Sequence, residues 1–179
     1  MAQRPSRKVS IWRQLDAASR HAWPCSCLLL GLFVIGLPLG LPGQAALRPA
    51  FAMACVFFWS LYRPASLPAP VVAFTGLLLD LLNLSGLGVW AVLLLLLQGA
   101  TLAARRRLAP SGFFPNWAAF TAFGAGLSVL FWAMQSVLAL RPLPLMPLCG
   151  QILACASLYP ALAALFIRAH RGAAAPELA

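Results

Sequence analysis

The chain has 179 residues, of which 62% are hydrophobic and only 9% charged. A soluble domain usually carries about 25% charged residues, so the composition excludes a fold that buries its apolar surface without help from lipid, and an integral membrane protein is expected. The net charge of +10 suggests nucleic-acid binding only until its distribution is mapped; it then becomes an orientation signal.

Residues 1–23 read as a basic, cytoplasmic, amphipathic segment. "SIWRQLDAASRHAW" puts Trp12, Leu15, Ala18 and Ala22 on one helical stripe and Arg13, Asp16 and Arg20 elsewhere. A short helix at the membrane surface and a frayed basic tail both fit. A cleaved signal peptide fits less well. The basic region is long, and Pro38 and Pro42 interrupt the apolar run, although Gly43-Gln44-Ala45 is a passable small-x-small site. Residues 24–168 read as one membrane domain. Its apolar stretches run about 24–41, 46–62, 68–84, 87–104, 116–140 and 147–168, with Pro, Gly or Arg in every gap. Residues 169–179 are left as a short cytoplasmic tail.

Charge gives the topology. Arg4, Arg7, Lys8, Arg13 and Arg20 precede the first stretch. Arg63 follows the second, Arg105, Arg106 and Arg107 follow the fourth, and Arg168 and Arg171 follow the sixth. These eleven fall on one side, and only Arg48 and Arg141 on the other. The positive-inside rule makes the rich side cytoplasmic and predicts both termini there. The fold class is therefore an all-α integral membrane protein with six transmembrane helices, or with four spans and two re-entrant hairpins.

Residues with the chemistry of a site are few. Cys25, Cys27, Cys55, Cys149 and Cys155 lie in or beside apolar stretches with no C-x-x-C spacing, and His21 and His170 sit at opposite ends of the chain. No metal, cofactor or enzyme role is expected from such a set. Small residues indicate helix packing instead. Ala118, Ala122, Ala125 and Gly126 share one side of the fifth stretch, which suits packing within the bundle or a partner face.

Asp80 is the exception. It stands inside "TGLLLDLLNLSGLG", and the other two acidic residues, Asp16 and Glu177, lie near the chain ends. It comes about four residues before a hairpin, so roughly 6 Å inside the membrane boundary. Gly86 and Gly88 would let the chain reverse, and the start of the next helix would offer unpaired backbone N–H groups. Asp80 is expected to lock that hairpin, with Arg48 on the same side as a candidate charge partner, or else to serve partner binding or transport.

The same residues carry a resemblance. "LRPAFAMACVFFWSLYRP", followed by "FTGLLLDLLNLSGLG", resembles the rod shape-determining MreD family. That family shows an R-P near the start of the second span, then W-x-x-x-R-P, then G-L-L-x-D-L-L with L-G after it. Here the matching positions are Arg48, Pro49, Trp59, Arg63, Pro64, Gly76, Asp80 and Leu87-Gly88. Where the family often has a glycine and a proline in the hairpin, this chain has Asn83 and Gly86. The resemblance covers nearly the whole chain from residue 24.

It implies a non-enzymatic scaffold of the bacterial inner membrane, within the cell-wall elongation complex. The implied partners are a single-span MreC-like protein, a RodA-like glycosyltransferase with its transpeptidase and, indirectly, MreB filaments. A fold similar to the S-components of energy-coupling-factor transporters is also implied, so the alternative is a small-solute transporter subunit. That alternative would need an outward pocket lined by Gln44, Arg48, Asp80, Asn83 and Arg141, the charged or amide residues on that side.

Overall fold

A computed structural model describes residues 25–37, 43–83 and 86–174. The expectations for residues 1–23 lie outside them. The described residues are all-helical. Six helices follow in order: α1 (Cys25–Gly36), α2 (Gln44–Tyr62), α3 (Ala69–Asn83), α4 (Val89–Leu108), α5 (Phe113–Leu138) and α6 (Met146–Ala174). A single 3-10 turn, Pro64–Ser66, links α2 to α3.

Three helices, α2, α4 and α5, are long and apolar enough to cross a membrane. α3 has 15 residues and rises about 22 Å, short of the roughly 30 Å hydrocarbon core. The helical part of α1 ends at Gly36, before the expected boundary at 41. Leu37 precedes a proline, whose ring disfavours helical backbone in the residue before it. α6 stays helical to Ala174, beyond the 168 expected from hydropathy, because a helix continues past the apolar stretch that defines a span.

α2 is the centre of the bundle. Every residue from Pro49 to Leu61 is buried, as expected of a helix apolar on all sides. The other helices bury one stripe each. α3 buries Val72, Thr75, Gly76, Leu79 and Asp80, spaced at three and four residues along one face. α4 buries Trp90, Ala91, Leu93, Leu94, Leu97, Gln98 and Thr101. α5 buries only Asn116, Phe120, Gly124 and Ser128. Its other faces expose Phe114, Val129, Val137 and Leu138, as a helix bordering lipid would.

Of the two expectations for the small-residue side of α5, packing within the bundle is not met. Ala118, Ala122 and Gly126 point outward and Ala125 is half-buried. The contact with the bundle lies on the adjacent stripe, where a Cβ on Gly124 would lie 3.3 Å from Cys155 Sγ. Aromatic volume decides between the two faces. Phe120 stacks on Tyr159 of α6 at 4.9 Å and meets Phe57 of α2 at 5.3 Å, and edge and offset ring pairs contribute beyond their burial. The alanines make no comparable contact.

Two prolines interrupt helices, and in each case a side chain sits at the disturbed turn. Pro160 supplies no N–H for the carbonyl of Ala156. Trp117 Nε1 donates to that oxygen instead, at 2.9 Å. Near Pro49 the amide of Gln151, oriented to satisfy both contacts, donates to Ala46 O at 3.0 Å and accepts from Ala50 N–H at 3.2 Å. Thr75, Thr101, Thr121 and Ser128 turn their hydroxyls back onto carbonyls four residues earlier. Helical hydroxyls are satisfied this way where water is excluded.

Candidate functional site

The motif residues gather at the two ends of α2. At one end, α3 and α4 form a hairpin in near-contact. A Cβ on Gly76 would lie 2.3 Å from Ala91 Cα and 2.5 Å from Ala91 N, so only glycine permits this backbone approach. Asp80 lies one turn further along the same face and is 1% exposed. Its Oδ2 accepts from Gly88 N–H at 2.8 Å and its Oδ1 from Trp90 N–H at 3.1 Å.

Gly88 occupies the N-cap of α4 with φ +92° and has no side chain to cap with. Asp80 therefore supplies, from the preceding helix, the acceptors an N-cap residue would normally provide. A carboxylate there also faces the positive end of the α4 dipole. Of the two hairpin glycines, Gly88 alone has positive φ. Gly86, exposed and without positive φ, accepts a hydrogen bond from Val89 N–H through its carbonyl.

Arg48 does not reach Asp80. Its Nη1 donates to Leu82 O at 2.9 Å and its Nη2 to Gly36 O at 3.1 Å. These are orphan carbonyls at the C-termini of α3 and α1, where a cation is favoured. Gln44 Nε2 adds a bond to Ile35 O at 2.8 Å and another to Leu37 O. Three polar side chains at this end thus close three helix termini. Pro49, next to Arg48, is buried inside α2.

At the other end, Trp59 is buried and its carbonyl accepts from Arg63 N–H at 2.8 Å. Arg63 is the exposed C-cap of α2, and Pro64 opens the 3-10 turn. Two residues of α4 secure this turn. Gln98 Nε2 donates to Leu67 O at 2.8 Å and Arg105 Nε to Leu61 O at 2.9 Å. The arginine triplet is thereby divided. Arg105 is half-buried and bonded to the end of α2, while Arg106 and Arg107 are exposed.

Gln98, Gln151 and Trp117 escaped the sequence reading. A signal existed for the first two, since each is an amide inside an apolar run. For Trp117 the signal was indirect: Pro160 leaves Ala156 O free, but the residue that fills the gap follows from the packing. Two surface depressions border the bundle. One, between α1 and α3, is lined by Cys27, Leu30, Phe33, Phe74 and Leu78 among others, and the other runs along α4 from Val92 to Ala100. Compared with family models, curated proteins and solved structures, the chain matches none.

Proposed function

We propose that the chain is a multi-span scaffold of the bacterial inner membrane, of the MreD kind, with six spans and both termini in the cytoplasm. It would join an MreC-like single-span protein to RodA-like synthase machinery in cell-wall elongation, and to MreB filaments through them. The observation that carries this reading is the use made of the polar residues at the Asp80 end. Gln44, Arg48 and Asp80 all bond to the backbone at helix ends. A solute-binding S-component would direct such groups at its ligand. With them committed to the backbone, the bundle is stiffened and its sides are apolar, which suits contacts with other membrane helices.

Co-expression with an MreC-like protein, followed by purification in mild detergent, tests the proposal. The two should co-purify. Capture of an ATPase pair in place of the single-span protein would assign the chain to the transporter class and overturn the scaffold reading.

A further inference from the structure

Arg106 and Arg107 are exposed at the C-terminal end of α4, and among the described residues no carboxylate lies near them. Among the described residues Asp80 is the one carboxylate, and it holds the opposite end of α4, about 30 Å away along a 20-residue helix. Arg105 Nε is bonded to Leu61 O, two residues before the exposed Arg63. The exposed face of α4 leads straight to these arginines. At 3.6 residues per turn, Val92, Leu96, Gly99, Ala100, Arg106 and Arg107 fall within about 120° of arc. All six are exposed. Gly99 and Ala100 make the face shallow, and a Cβ on Gly99 would meet nothing within 4 Å. The depression along Val92–Ala100 ends roughly 10 Å of helix rise from Arg107.

We infer that this face of α4 binds an anionic phospholipid, with one acyl chain along Val92–Ala100 and the phosphate between Arg106 and Arg107. Charge complementarity selects the occupant. A zwitterionic lipid would fill the depression equally well, but its own cation would offset the attraction of its phosphate to the two exposed guanidinium groups, which an anionic headgroup keeps in full. The inference needs the bundle to lie in a bilayer and is independent of any scaffold role. Its test is read on the isolated protein, so its failure is separable from a failure of partner co-purification.

The probes are phosphatidylglycerol and phosphatidylcholine of identical acyl chains, and the readout is lipid retention by the purified protein in native mass spectrometry. Phosphatidylglycerol should be retained preferentially. Arg106→Gln with Arg107→Gln should lower its retention about 25-fold, at about fivefold per arginine. Gly99→Leu fills the depression, keeps every charge and should also weaken retention, which covers the case in which the arginine variant inserts poorly. Equal retention of both lipids by the wild type would overturn the inference. So would an unchanged preference in the double Gln variant. Loss of a co-purifying protein with lipid preference intact would assign the arginines to a protein contact instead.

Discussion

Replacing Asp80 separates the roles of its two oxygens. The carboxylate accepts from Gly88 N–H through Oδ2 and from Trp90 N–H through Oδ1, at a position 1% exposed. Asp80→Leu leaves both donors without these acceptors in a nearly dry setting. At about 1–3 kcal/mol for each stranded donor, the loss is about 2–6 kcal/mol. Up to a further 1 kcal/mol comes from the α4 dipole. From the sequence, Asp80→Asn should be mild, because Asn keeps an acceptor. The geometry alters that expectation. Asn offers one oxygen, and its NH₂ would face the second backbone donor, so about half the Leu penalty is expected. The measurement is the fraction of protein that stays monodisperse after heating in detergent, converted to a free energy by reversible unfolding. The order should be wild type, then Asn, then Leu, with Asn near the midpoint. Asn within 0.5 kcal/mol of wild type, well below the cost of one stranded donor, would refute the two-acceptor account. Equal damage by Asn and Leu would instead assign the effect to charge.

Arg48→Gln should destabilise through the ends of α1 and α3, and in a double-mutant cycle with Asp80→Asn the effects should be nearly additive, because the two residues do not pair; a coupling above 1 kcal/mol would contradict this. Gly76→Ala should cost at least 2–3 kcal/mol by forcing the α3 and α4 backbones apart, whereas Gly124→Ala, with Cys155 Sγ at 3.3 Å, should cost under about half as much; thermal unfolding of the two variants compares them. Arg105→Gln should lower stability by about 1 kcal/mol through the lost bond to Leu61 O, and Arg106→Gln should leave it unchanged, as read by the same melts. Reporter fusions after residue 110 and at the C-terminus should both report cytoplasm, and a periplasmic C-terminus would exclude six spans.

The sequence alone settled matters that depend on single residues and their period. The apolar stretches marked the six helices of the described residues, because a helix that buries most of its sides must be apolar over several turns. Asp80 stood out because a carboxylate inside a leucine run is costly unless something satisfies it. Its distance from the hairpin pointed to the first turn of the next helix, and there the hydrogen bonds are found. The tertiary structure decided what depends on which faces meet. Arg48 and Asp80 looked like a charge pair by side and sign, yet the guanidinium lies nearer the orphan carbonyls of two helix ends. The small residues of α5 suggested a face for the bundle or for a partner; within the bundle Phe120 and Gly124 on the neighbouring stripe make the contact, since ring volume against Tyr159 outweighs close approach by alanine. Arg105, Arg106 and Arg107 are equivalent as letters. They share the last turn of α4, and its rotation of about 100° per residue bonds the first to α2 and leaves the other two exposed.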